Sequence, residues 1–367
     1  MTNSRNNPGV YIDEDASVSL SVASGATAVP AFIADFGSAF DGVRRFNSWL
    51  DVSQGGGQAV ASGASLGVLR GYFENGGGHC YLANTADGSV QKALTLIESY
   101  DDVTILVPLG LWDGGADAAG EIARAVTTHA ASHRAMAILH ADKDHDPAQA
   151  RDAARGFKLD AAQSAHAALY HPWLVSAWYT AGALPPVGAV AGAWCRVDRE
   201  RGVWKAAANV ALQGGVRPSQ VVTDVQQGES MSVNMLREFK DDGTLVWGAR
   251  TLNETDERWR YVPVRRLADT VGRDLQSTLD VTMFEPNSQP TWEKVRAAAD
   301  NYLHAIWKQG GLMGNTPQEA YSVQIGQGIT MTDEDVKDGR IVLKVGLAAV
   351  RPSQFIDLTL AGAAGQA

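Results

Sequence analysis

Two short apolar runs at residues 103–107 and 135–139 bracket a helical pattern at about 118–133, and this arrangement restricts the fold more than any other feature. Continuous apolar runs of this length read as buried strands, and a helix between two of them makes a βαβ unit. Runs at 29–33 and 80–83 have the same character, so the pattern from about Thr27 onward is α/β. The stretch 41–63, with Gly55-Gly56-Gly57, reads as a loop or small insertion. Residues 161–169 look helical and lead into an apolar run at 173–179, and Pro185-Pro186 marks a turn before a small-residue helix.

The last third changes character. Segments 231–239 and 244–249 flank Asp241-Asp242-Gly243, a hairpin signal. A long helix is expected over 292–309, where Trp292, Val295, Ala299, Tyr302 and Ile306 form one apolar stripe. Thr291 is its expected N-cap, and Gly310-Gly311 stops it. Both chain ends alternate with period two: Val18, Leu20 and Val22 at the start, Ile341, Leu343, Val345 and Leu347, then Ile356, Leu358 and Leu360 at the finish. Strands at chain ends need partners, since an unpaired edge invites association.

At 367 residues the chain suits about two domains. A formal net charge of -10 argues against a nucleic-acid binder, and no apolar run approaches the ~18 residues of a bilayer span. The first residues lack the charged and apolar regions of a signal peptide, so assembly in the cytoplasm is expected. Cys80 and Cys195 read as buried thiols suited to that reducing setting.

Catalytic and metal patterns each miss a part. Gly63-Ala64-Ser65-Leu66-Gly67 matches G-x-S-x-G, yet a loop precedes it where a nucleophile elbow needs a buried strand, so a small-residue turn is the better reading. His129 and His133 stand at i,i+4 without the glutamate of the zinc-protease motif, on the stripe set by Ile122 and Val126, and read as core or helix-end residues. The acidic run 142–146 resembles a calcium loop, but Pro147 and Ala153 fall where glycine and glutamate are required. No catalytic residue, cofactor or metal site is expected.

The features left over run in one order along the chain: Tyr72-Phe73-Glu74-Asn75-Gly76-Gly77-Gly78, Tyr170-His171-Pro172-Trp173, then Pro185-Pro186-Val187-Gly188-Ala189-Val190-Ala191-Gly192. They continue as Val246-Trp247-Gly248-Ala249-Arg250, Trp259-Arg260-Tyr261-Val262 with Arg265-Arg266, Phe284-Glu285-Pro286-Asn287, and Val350-Arg351-Pro352-Ser353-Gln354-Phe355, after an opening Pro8-Gly9-Val10-Tyr11-Ile12. Together they resemble contractile tail sheath proteins of phages, extracellular injection systems and R-type bacteriocins. His79 and His171 depart from many relatives and read as lineage variation.

The resemblance implies a mixed α/β fold of two domains: an arm over 1–23, a central α/β domain over 24–230 and a C-terminal sheath domain over 231–367, with extended terminal β arms. It implies a structural subunit, not an enzyme, that stacks as hexameric rings around an inner tube and contracts to drive the tube through a cell envelope. Expected partners are other copies, the inner tube, and baseplate and tail-terminator proteins, with no nucleic acid and no membrane insertion. The setting implied is a phage tail or phage-tail-like particle. Val10, Ile12, Val18, Leu20, Val22, Leu343, Val345, Ile356 and Leu358 are assigned to inter-subunit arms and their acceptor sheet, and Lys294, Arg296 and Lys308 to a tube-facing helix. The alternatives are an α/β hydrolase using Ser65 and a non-contractile tail-terminator or baseplate protein.

Overall fold

The computed structural model describes residues 20–54, 61, 63–86, 89–229, 232–283 and 285–350, with the backbone of 355–363. Its strands are β1 (Pro30–Ala34), β2 (Val43–Phe46), β3 (Cys80–Asn84), β4 (Ile105–Pro108), β5 (Met136–His140), β6 (Ala167–His171), β7 (Leu174–Ser176), β8 (Tyr179–Leu184), β9 (Val210–Ala211), β10 (Arg217–Pro218), β11 (Val233–Phe239), β12 (Gly243–Trp247), β13 (Tyr321–Gln324), β14 (Arg340–Ala348) and β15 (Phe355–Ala363).

Nine strands form one sheet in the order β2-β3-β1-β4-β5-β6-β11-β12-β9. The six from β3 to β11 run parallel, and β2, β12 and β9 add antiparallel pairs at the edges. Every residue of β4, β5 and β6 is buried, as parallel strands covered on both faces must be. One face carries the helices Val90–Ile97, Gly115–Ser132 and Pro147–Gly156 over Leu94, Val126 and Leu139. The other face carries Gly63–Glu74 and Val187–Arg201 over Phe32, Ile138 and Trp194.

That second helix pair explains the small-residue motif after Pro185-Pro186. Gly188 and Gly192, one helical turn apart, face the backbone of the Gly63–Glu74 helix. A Cβ on Gly188 would lie 2.1 Å from the Val68 carbonyl oxygen, and one on Gly192 2.3 Å from that of Tyr72. Only glycine allows so close an approach of two helix backbones.

A second body packs the helices Val262–Val281 and Gln289–Lys308 against the antiparallel sheet β13-β14-β15. The expected stripe is in place: Trp292, Val295, Ala299, Tyr302 and Ile306 are all buried in this core.

Several expectations need correction. Within 41–63, read as a loop or small insertion, the described residues hold regular structure: β2 pairs with β3, and Trp49–Gln54 is helical. The helix expected over 161–169 stops at Ala165, and Ala167–His171 is a central strand. Slotting between β5 and β11 overrides the helical propensity of Ala167, Ala168 and Leu169. Gly63–Gly67 is not a turn but the start of a helix. The C-terminal helix begins at Gln289, with Ser288 at the N-cap position and Pro290 in its first turn, so Thr291 lies buried inside it. The β11–β12 hairpin forms as expected but belongs to the large sheet, which therefore continues past residue 231.

Candidate functional site

The helix Val262–Val281 links three parts of the molecule, and it does so with buried charge. Its first two turns carry Arg265 and Arg266 and its middle Asp269 and Asp274, all buried. Burying ions is costly unless each is paired and hydrogen-bonded. Here each is. Arg265 donates to Asp269 at 3.0 and 2.6 Å and lies over the Trp259 ring at 3.8 Å. Arg266 makes a two-point contact with Asp198 at 3.0 and 2.7 Å, donates to the Thr27 carbonyl at 2.9 Å and lies over Trp194 at 4.6 Å. Asp274 accepts from the Tyr302 hydroxyl at 2.6 Å and from the Gly25 amide at 3.0 Å.

These contacts join the helix to the central body through Asp198 and His166, to the entering chain through Gly25 and Thr27, and to the C-terminal helix through Tyr302. Titration follows from the packing. Burial works to raise the Asp269 carboxyl, but Arg265 and His166 outweigh it and hold it below the usual range. Burial raises Asp274, and burial together with the Asp274 charge pushes the Tyr302 hydroxyl up.

Beside this hub lies the terminal sheet. β14 is its centre, paired antiparallel with β13 over Tyr321–Gln324 and with β15 from Arg340↔Ala363 to Ala348↔Phe355. Leu343 and Val345 point into the core of their own chain, at 0% and 1% exposure. Ile356 and Leu358 sit on the backbone of β15 opposite Leu347 and Val345. Leu20 and Val22 rest, partly buried, on the same core. Val10, Ile12 and Val18 lie outside the described residues. Among the described strands, the outer edges of β13 and β15 have no strand partner. Lys294, Arg296 and Lys308 are exposed on the Gln289–Lys308 helix, Arg296 paired with Glu293.

The chemistry the sequence set aside has defined places. Ser65 lies in the first turn of a helix, and the described histidine hydrogen bonds go elsewhere: to Asp102 and to carbonyls of His129, Ala141, Leu109 and Ala162. Cys80 and Cys195 are buried free thiols, and burial pushes Cys195 up to about 11. A cleft of about 840 Å³ is lined by Trp204, Arg237, Trp247, Arg250 and Tyr261, with no serine, cysteine or histidine among the described residues that line it. Among the described residues no helix is long and apolar enough to cross a membrane. Sequence reading missed the buried ionic hub and also a carboxylate, Glu98, beside His129 and His133.

Comparison with known proteins places this architecture. The phage tail sheath C-terminal domain family matches residues 254–361, the hub helix and terminal sheet. No curated protein sequence matches. The structure is similar to the sheath complex of the PVC extracellular contractile injection system in its contracted state, with TM-score 0.81, 43% identity, and 98% of each chain covered. It is similar also to the helical sheath of the anti-feeding prophage in its contracted state, with TM-score 0.77, 38% identity, and 98% of this chain and 99% of that one covered. A sheath tail protein from Desulfitobacterium hafniense shares the fold at TM-score 0.65 and 13% identity, covering 97% of this chain and 100% of that one. The fold is thus that of a contractile sheath protein. At these identities over nearly full length, the chain belongs to the contractile sheath protein family.

Proposed function

We propose that this chain is the subunit of a contractile sheath that stacks in hexameric rings around an inner tube, works as structure and not as an enzyme, and contracts to drive the tube through a target envelope. The observation that carries the reading is the 43% identity to a contracted sheath subunit over 98% of both chains. The division of labour follows from the packing. The hub helix is tied to the α/β body by ion pairs and hydrogen bonds, while the terminal sheet offers edges for strand addition. A neighbour's residues 8–18 add to such an edge, so that Leu343 and Val345 belong to the acceptor sheet and not to a donated strand. Leu20 and Val22, resting on their own core, mark where the arm leaves the subunit. Strand addition satisfies the backbone groups of the edge and tethers neighbours through a rotation of rigid bodies. A head-to-tail contact of this kind propagates into a helix.

Baseplate proteins are the expected partners at one end of the cylinder and a terminator at the other, with the tube inside. The cations Lys294, Arg296 and Lys308 are offered to the tube. Assembly in the cytoplasm precedes release as a phage-tail-like particle.

Deleting residues 1–18, which spares Leu20 and Val22, tests the tether. The variant is expected to fold and to stay in the supernatant on ultracentrifugation while the full chain pellets as polymer. Polymer of normal yield from the variant contradicts the strand-exchange reading.

A further inference from the structure

The helix Gly115–Ser132 ends on a histidine pair, and a second helix brings a carboxylate to it. His129 lies in the last turn and His133 is the C-cap, with rings stacked 4.0 Å apart at 21°. Glu98 caps the C-terminus of Val90–Ile97, and its carboxylate lies 3.9 Å from His129 Nδ1. One ligating atom from each of Glu98, His129 and His133 lies within 4.8 Å of the other two. We propose that these three side chains form a binding site for a divalent transition-metal ion of the zinc class, joining the ends of two helices that cover the same sheet face.

Four features support the assignment. Two imidazoles and one carboxylate are one of the donor sets of three-ligand zinc sites, whose fourth position stays open to water. Imidazole also selects zinc, cobalt or nickel over calcium and magnesium. Zinc ligands sit about 2.0–2.2 Å from the ion, hence about 3.4 Å from one another, so the observed spread of up to 4.8 Å has to close by side-chain rotation. That rotation is available: Glu98 and His133 are exposed, while His129, with its side chain 10% exposed, is held in place. His133 Nδ1 donates to the His129 carbonyl at 3.0 Å, which puts the proton there and frees Nε2 to ligate. Finally, the C-terminal end of an 18-residue helix presents the negative end of its dipole to a cation. Sequence spacing alone showed only the two histidines. The carboxylate comes from 31 positions before His129 and enters through the packing of two helices.

The test is titration of the full-length chain, stripped with chelator, with Co²⁺ followed by absorption and with Zn²⁺ by calorimetry. The expected result is one saturable ion per chain. Binding should weaken at least about tenfold in His133→Ala and in Glu98→Gln, both exposed positions whose variants are expected to melt like the parent. His129→Ala serves as a third variant, scored only if its melting curve is intact. Absence of saturable binding, or affinity unchanged in both His133→Ala and Glu98→Gln, overturns the site. Loss in His133→Ala with no change in Glu98→Gln overturns the three-ligand assignment in favour of a two-histidine chelate.

Discussion

Asp198→Asn removes one charge from the most buried ion pair that joins the central body to the hub helix. The two side chains are 3% and 6% exposed, and their closest contact is 2.7 Å. The gross attraction at that distance is about 6 kcal/mol at an effective dielectric near 20, most of it offset by the cost of bringing both ions out of water. The neutral amide can still accept one hydrogen bond through its oxygen but leaves the Arg266 guanidinium buried without a counter-ion, beside the Thr27 carbonyl and the Trp194 ring. Breaking such a pair costs about 3–5 kcal/mol. At about 2 °C per kcal/mol for a chain of this size, the melting temperature should fall by roughly 6–10 °C. Replacing both partners with apolar residues, as Asp198→Leu with Arg266→Met, should return most of that loss, because neither charge is then stranded. The assay is calorimetry of Asp198→Asn, of Asp198→Leu and Arg266→Met singly, and of the double. A fall of less than about 2 °C in Asp198→Asn, or a double variant that loses the sum of the singles, would refute the claim that the pair acts as a unit.

Three further outcomes follow from the structure. Gly192→Ala places a Cβ against the Tyr72 carbonyl and should cost at least about 1–3 kcal/mol, seen as a lower urea midpoint. Tyr302→Phe removes the 2.6 Å bond to Asp274 and should cost about 1.5–3 kcal/mol by the same measurement. His171 is buried with neither ring nitrogen hydrogen-bonded, and burial lowers it from 6.5 to about 4. The unfolded chain therefore binds more protons than the folded one between those values. Stability is fully present above about 6.5 and falls as the pH drops towards 4, and in His171→Leu that fall should be shallower.

The sheet was legible where burial writes a simple pattern. The four apolar runs and the helix 118–133 declare the parallel core because both faces of those strands are covered. Three elements were hidden by identifiable causes. β2, Val43-Arg44-Arg45-Phe46, is an edge strand whose exposed arginines look like a loop. β6 is rich in alanine and follows a helix without a break, so only its sheet neighbours decide its state. Val262–Val281 carries Arg265, Arg266, Asp269 and Asp274 on its buried side, and their pairing partners lie as far away as Asp198 and Tyr302. No local pattern reveals a buried charge whose partner is distant in sequence. For the same reason the motif residues Arg265-Arg266 were visible as a signature while their role as a joint was not. The assignment of residues 341–347 shows the converse. The alternation marked a strand correctly, and only the fold shows it as the centre of its own sheet.

The claim that this chain builds a contractile sheath is tested most directly by electron microscopy of the purified chain expressed with its tube protein. The account predicts long hollow cylinders with sixfold symmetry, of which a fraction is short and wide and has parted from the tube. Closed single rings, or compact monomers and dimers under all conditions that preserve the fold, would contradict it.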